Sequence, residues 1–152
     1  MTRQSAGLLL HRVRAGIVEV FLVHPGGPLW KNKDAGAWSI PKGEFADGDD
    51  ALAAARREFE EETGTRIEGR FVALAPVRQR GGKIVHAWAV EADLAPENLA
   101  SNTFTLEWPP RSGRMQSFPE VDRYGWFALD EARAKINDGQ RPLLDELATL
   151  AR

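Results

Sequence analysis

Hydrophobic residues fall into two runs at the start of the chain, Ser5–Arg12 and Ile17–His24, with Ala15-Gly16 between them. Apolar runs of this length around a turn dipeptide predict two strands joined as a hairpin. A glycine-containing loop follows over Pro25–Ala37, and Trp38-Ser39-Ile40 reads as a short strand ended by Pro41. From Asp49 to Thr63 the pattern becomes helical. Asp47, Asp49 and Asp50 crowd its start, where free backbone N–H groups favour carboxylates. Ala51–Ala55 supplies strong helix formers, and Gly64 stands where the helix stops.

Glu68–Gln79 and Lys83–Glu91 read as two strands of a second hairpin, turning at Gly81-Gly82. Asp93–Pro119 contains Pro96, Pro109, Pro110, Gly113 and Pro119, and reads mostly as loop with a strand at Thr103–Trp108. Tyr124–Leu129 predicts the last strand. Asp130–Asn137 predicts a short helix stopped by Asp138-Gly139. Pro142 opens a terminal helix whose Leu143, Leu144, Leu147 and Leu150 form an apolar stripe. Strands, helix, strands, helices is the order of an α/β fold with a sheet covered by helices.

At 152 residues, the chain is expected to be a single domain over 1–152. It has no cysteine, which excludes disulfides, thiolate metal sites and cysteine nucleophiles and fits a cytoplasmic location. A net charge of −2 argues against nucleic acid or a membrane surface as partner, and no apolar run approaches the ~18 residues of a membrane span. Nothing in the pattern specifies an oligomeric state.

The densest charge cluster is Arg56-Arg57-Glu58-Phe59-Glu60-Glu61-Glu62. Glu58, Glu61 and Glu62 are spaced i, i+3, i+4, so a helix sets their carboxylates on one face. Such neighbours repel, by roughly 0.2–0.5 kcal/mol per exposed pair, unless a hard cation lies among them. Mg²⁺ takes a few carboxylates, several waters and substrate phosphates. Arg56–Glu60 and Arg57–Glu61 are also i, i+4 pairs, which on their own describe a solvated helix face. The approach to the helix weighs against that plainer reading. Trp38-Ser39-Ile40-Pro41-Lys42-Gly43-Glu44-Phe45 brings a glycine for close backbone contact and a lysine for a phosphate oxygen.

Gly43 to Thr65 resembles the Nudix box, G-x5-E-x7-R-E-U-x-E-E-x-G-U, where U is bulky and aliphatic. Gly43, Arg57, Glu58, Glu61, Glu62 and Gly64 match in register; Asp49 replaces a glutamate, and Phe59 and Thr65 take the U positions. The resemblance implies an α/β/α sandwich with a mixed β-sheet between helices. It implies hydrolysis of a nucleoside diphosphate linked to another group, with Mg²⁺ or Mn²⁺ held by Glu58, Glu61, Glu62 and the Lys42 backbone carbonyl. Arg57 would orient Glu58 through a charge-assisted hydrogen bond, and Asp49 would tether the loop. Glu58 or Glu62 is a candidate general base inside the box, and Glu120 is the best one outside it.

Lys33 in the glycine-rich loop and Arg78 by the second hairpin, with Lys31, Arg80 and Lys83, are candidates for phosphates beyond the scissile bond. Tyr124 and Phe118 are candidates to stack on a base, while Trp38, Trp88 and Trp126 read as core. His11, His24 and His86 lack zinc-ligand spacing, and no Walker or dinucleotide-type glycine loop occurs. The Trp38–Gly43 stretch resembles the branch acting on dinucleoside polyphosphates and inositol pyrophosphates, so diadenosine tetraphosphate is the favoured small-molecule nucleotide. The alternatives are an NTP pyrophosphohydrolase, removal of pyrophosphate from RNA 5′ ends, and a nucleotide sensor without catalysis.

Overall fold

The structure is a computed structural model that describes residues 3–150. The opening runs form β1 (Gln4–Arg14) and β2 (Ile17–Pro25), paired antiparallel. Ala15 and Gly16 turn between them at φ 52° and 79°, the left-handed backbone that a tight two-residue hairpin needs. The chain continues through β3 (Lys42–Glu44), α1 (Ala51–Thr63), β4 (Val72–Ala73), β5 (Val77–Arg78) and β6 (Ile84–Glu91). It ends with β7 (Thr103–Glu107), β8 (Met115–Pro119), β9 (Val121–Ala128), α2 (Leu129–Lys135) and α3 (Arg141–Leu150).

The main sheet has the order β4-β6-β1-β2-β9, with β3 added to β1 and β5 added to β6. β1 and β6 run parallel and the other pairs antiparallel, so the sheet is mixed. Its central strands are apolar at consecutive positions because both faces are covered. Ala6, Leu8 and Leu10 of β1, with Phe21 and Val23 of β2, pack against Ala54, Ala55 and Phe59 of α1. Leu9, Val20 and Leu22 point the other way, into Ala132, Leu143, Leu144 and Leu147 of α2 and α3. The result is the expected α/β/α sandwich.

Several elements differ from their sequence reading. Glu68–Gln79 is not one strand: only the two-residue β4 and β5 pair with β6, with Pro76 in the gap because it lacks the N–H a ladder needs. Trp38–Ile40 makes only isolated bridges, Ser39 to Val23 and Trp38 to Ile136. Leu129 starts α2 instead of ending the last strand. The largest difference is in Asp93–Pro119. A short 3-10 turn at Pro96–Asn98 is followed by a separate two-stranded ribbon, β7 with β8, in which Phe104 and Phe118 stand opposite each other with ring centroids 5.9 Å apart. The strand expected at Thr103–Trp108 is present as β7; the sequence hides its partner β8, which buries little and follows a turn carrying Pro109-Pro110.

Candidate active site

The acidic helix is fixed at both ends. Asp50 caps its N-terminus, its carboxylate accepting from the backbone N–H groups of Leu52 and Ala53 at 3.0 and 3.3 Å. Asp49 does not cap; its carboxylate accepts from Ala46 N–H at 3.2 Å and closes the preceding loop. At the C-terminus Gly64 adopts φ 75° and its N–H donates to the Glu60 carbonyl. Phe59 is fully buried, 6.1 Å from Phe21 between ring centroids, and anchors α1 to the sheet. The final turn carries Glu60, Glu61 and Glu62, although the helix dipole there favours cations. A broken local rule of this kind is expected at functional sites.

Gly43 in β3 lies against Glu58. A Cβ on Gly43 would stand 2.1 Å from Glu58 Cδ and 2.2 Å from Oε2, so any side chain would expel the carboxylate. Close approach, and not a left-handed φ, makes glycine necessary here. Arg57 Nη2 is 3.8 Å from Glu58 Oε1, an ion-pair distance too long for the expected hydrogen bond.

Glu120 arrives from the other side. It lies between β8 and β9, where the β2–β9 register shifts at His24/Pro25. Its carbonyl accepts from Gly26 N–H at 2.9 Å and its N–H donates to the Asn102 carbonyl at 2.8 Å. A Cβ on Gly26 would come within 2.0 Å of the Pro119 carbonyl oxygen, so this crossing too requires glycine. The two glutamates Glu62 and Glu120 share a cleft of about 160 Å³ with Lys42, walled by Val23, Ile40 and Val121. Pro25 and Val121 face each other across the shifted register, a tertiary feature with no signature in the sequence.

The electrostatics of the cleft are those of anions held together without enough positive charge. Burial pushes the Glu62 carboxyl up to about 8, with Glu58 and Glu120 adding to the rise and Lys42 opposing it through its charge and a backbone hydrogen bond. Burial and then Glu61 also raise Glu58, and Glu120 adds to this while Arg57 opposes it. Burial lowers Lys42, as does the nearby Lys83, against Glu62 and Glu44. The donor set, carboxylate oxygens on one helix face with a fourth carboxylate opposite, fits a hard divalent cation. Among the described residues no group of three or more acidic or histidine side chains is placed to hold a cation by itself. Mg²⁺ requires no enclosing cage, since it keeps waters and takes substrate oxygens.

The structure brings Lys42, Glu58, Glu61, Glu62 and Glu120 together, and it distributes the other candidates elsewhere. The Tyr124 hydroxyl donates to the Glu62 backbone carbonyl at 2.6 Å, and its ring stacks on Phe21 at 6.0 Å within the core. Phe118 is paired in the ribbon. Lys33 is tied through its backbone: its carbonyl accepts from His24 Nε2 at 2.6 Å, and its ammonium lies 5.1 Å from the Trp30 ring centre. Arg78 lines a separate recess with Arg3, Arg80 and Lys83. Trp38 is buried, whereas Trp88 and Trp126 are half-buried at the margin of the core. No helix among the described residues is long and apolar enough to cross a membrane.

A family model described as the NUDIX domain matches residues 1–147. Among solved structures, the chain is similar to C. elegans Ap4A hydrolase in a binary complex, at 23% identity and TM-score 0.65 over 99% of this chain and 98% of that one. A second structure of C. elegans Ap4A hydrolase gives 22% identity and TM-score 0.62 over 100% of both chains. The NUDIX domain of Shewanella oneidensis NrtR complexed with ADP ribose gives 14% identity and TM-score 0.63 over 99% of this chain and 88% of that one. At these identities the structural likeness is one of fold.

Proposed function

The chain belongs to the Nudix family, and on that footing we propose that it hydrolyses a phosphoanhydride bond in a nucleoside diphosphate linked to another group. The whole chain, 1–152, is read as one such domain. The observation that carries the reading is the cleft that Glu62 and Glu120 line with Lys42, with Glu58 acting on Glu62, and Glu61 on Glu58, from the same helix.

Glu58, Glu61 and Glu62, with the Lys42 backbone carbonyl, are the proposed ligands of Mg²⁺ or Mn²⁺. Bound there, the ion supplies neutralisation of phosphate charge and a lowered pKa for the attacking water. Glu120, on the opposite wall, accepts the proton as water oxygen bonds to phosphorus and the bridging oxygen leaves. Glu58 and Glu62 are poorer bases, because a carboxylate engaged with a cation has less affinity for a proton. Arg57 holds Glu58 by charge. The Lys42 ammonium meets a phosphate oxygen, and the apolar walls of Val23, Ile40 and Val121 strengthen that attraction by lowering the local dielectric.

The proposed substrate class is the dinucleoside polyphosphates, diadenosine tetraphosphate first. The Trp38–Gly43 stretch supports it, as does the fold shared with C. elegans Ap4A hydrolase. The absence of cysteine supports a cytoplasmic setting. Incubation with Mg²⁺ and a nucleotide panel, followed by chromatography, tests the reading. ATP and AMP from diadenosine tetraphosphate are expected, with turnover abolished in Glu61→Gln and Glu62→Gln while the fold persists. Turnover restricted to nucleoside triphosphates would replace the substrate class, and tight binding without turnover would replace catalysis by sensing.

A further inference from the structure

Glu120 reaches the cleft because β9 carries one residue more than β2 just after it. His24 pairs with Arg123 and Pro25 with Val121, so Asp122 has no partner across the ladder. This is a β-bulge, a device that re-aims a side chain next to a site. Pro25 favours it, since a residue without an N–H cannot complete a regular ladder. In an unbulged ladder residue 120 would lie one position further along, and a shift of one position turns a side chain to the other face of the sheet. The direction of Glu120 therefore depends on what holds the extra residue in place.

His24 holds it. The imidazole is fully buried, with Nδ1 bonded to the Asp122 carboxylate at 2.7 Å and Nε2 donating to the Lys33 carbonyl at 2.6 Å. Both ring nitrogens are engaged, so the ring is not free to turn. Trp38 stands edge-on to it, with ring centroids 5.3 Å apart. Arg123 braces the same two partners: its Nη2 donates to the Lys33 carbonyl at 3.4 Å, and its Nε lies 3.7 Å from Asp122 Oδ1. The segment carrying Lys33 is tied down in turn, because Asp34 accepts from Trp38 Nε1 at 2.8 Å and pairs with Lys135 of α2. Asp122, two residues after Glu120, is thus joined to a fixed point in the core. The Gly26 N–H, two residues after His24, donates to the Glu120 carbonyl and closes the ring around the bulge. Filling the core would require only an apolar side chain, whereas burying an imidazole costs free energy unless its nitrogens are bonded.

We propose that His24 is a positioning residue for the general base: its bond to Asp122 holds the bulge that aims Glu120 into the cleft. This rests on the hydrolase reading above and on the role of Glu120 in it, so the test pairs a structural readout with a kinetic one. Asp122→Ala removes the bond from the side of the partner that is 29% exposed, without emptying the core. His24→Gln removes it from the other side, while the longer amide keeps a donor for the Lys33 carbonyl. Asp122→Asn, which offers Nδ1 a polar atom in either orientation of its amide, is the conservative control. Amide hydrogen exchange followed by NMR reports the Gly26 and Glu120 N–H groups in each folded protein. Exchange at both should quicken by about tenfold or more in Asp122→Ala and His24→Gln and stay near wild type in Asp122→Asn. With Mg²⁺ and diadenosine tetraphosphate, kcat should fall roughly 10–10²-fold in the first two variants, with KM and Mg²⁺ affinity little changed. The double variant should be no worse than either single one, since both remove the same bond. Unchanged exchange, unchanged kcat, or additive losses in the double variant would overturn the proposal and leave His24 a packing residue. Faster exchange in a chain that cleaves no nucleotide would refute the hydrolase reading, with His24 still the anchor of the bulge.

Discussion

The Tyr124 hydroxyl donates a 2.6 Å hydrogen bond to the backbone carbonyl of Glu62, in the last helical turn, where carbonyls lack partners within the helix. The acid that lines the cleft is thus held from below by the last strand of the sheet. Tyr124→Phe keeps the stack on Phe21 and removes only this bond. A stability loss of about 1 kcal/mol is expected by denaturant titration. In steady-state kinetics kcat should fall with KM little changed, because Tyr124 positions Glu62 and does not face a base. A rise in KM alone would return Tyr124 to a role in stacking.

Gly43 and Glu58 set a second constraint. With only 2.1 Å between Glu58 Cδ and the position a Cβ would take on residue 43, Gly43→Ala must rotate the carboxylate out of the proposed cation site or push β3 away. The expected result is a folded protein whose kcat/KM falls by roughly 10²-fold, the order expected when catalytic geometry is displaced by about 1 Å. Mg²⁺ affinity, measured by calorimetry, should drop in parallel. An active Gly43→Ala variant with unaltered Mg²⁺ uptake would show that Glu58 is not a ligand.

Burial raises the Glu62 carboxyl to about 8 in the metal-free protein, against an ordinary value of 4.5. A raised folded-state pKa means that the folded chain holds its proton more tightly than the unfolded one. Its contribution is therefore complete below 4.5 and is lost as pH rises through 8. Thermal melts in chelator should show Tm falling across this window. Glu62→Gln should flatten the fall and be the more stable protein above pH 8, by an amount on the order of a few kcal/mol. Excess Mg²⁺ at pH 8 should stabilise the wild type more than Glu62→Gln, since the ion replaces the proton. Parallel melting curves for the two proteins would mean that Glu62 is not the buried acid governing stability.

What the sequence reveals about this site is what is local. Glu58, Glu61 and Glu62 are related by helical spacing, and Gly43 and Gly64 by the needs of chain reversal and close packing, so one segment displays them all. The sandwich is legible for the same reason, since consecutive apolar positions in β1 and β2 can only be buried on two faces. Tyr124 cannot be assigned this way: its partner is a backbone carbonyl 62 positions earlier, and no pattern distinguishes a buried hydroxyl anchor from a stacking ring. The alternation of Thr103–Glu107 marks β7, whereas its partner β8, exposed at every position but Phe118, leaves no such pattern.

Glu120 joins these two kinds of information. Its chemistry is visible in the sequence, a carboxylate after a proline at the end of a long connection, but its position depends on the register shift of β2 against β9 and on the contact of Gly26 with Pro119. Backbone hydrogen bonds on both sides of Glu120 make it a fixed feature of the cleft. In the proposed role of general base it would supply roughly 10²–10⁴-fold in rate, so Glu120→Gln should lower kcat by that factor while leaving Mg²⁺ affinity within a few-fold of wild type. Glu58→Gln, by contrast, should weaken Mg²⁺ uptake and activity together. If Glu120→Gln keeps full activity, proton removal belongs to a carboxylate of the helix, and the hydrogen bonds around residue 120 serve only to close the fold.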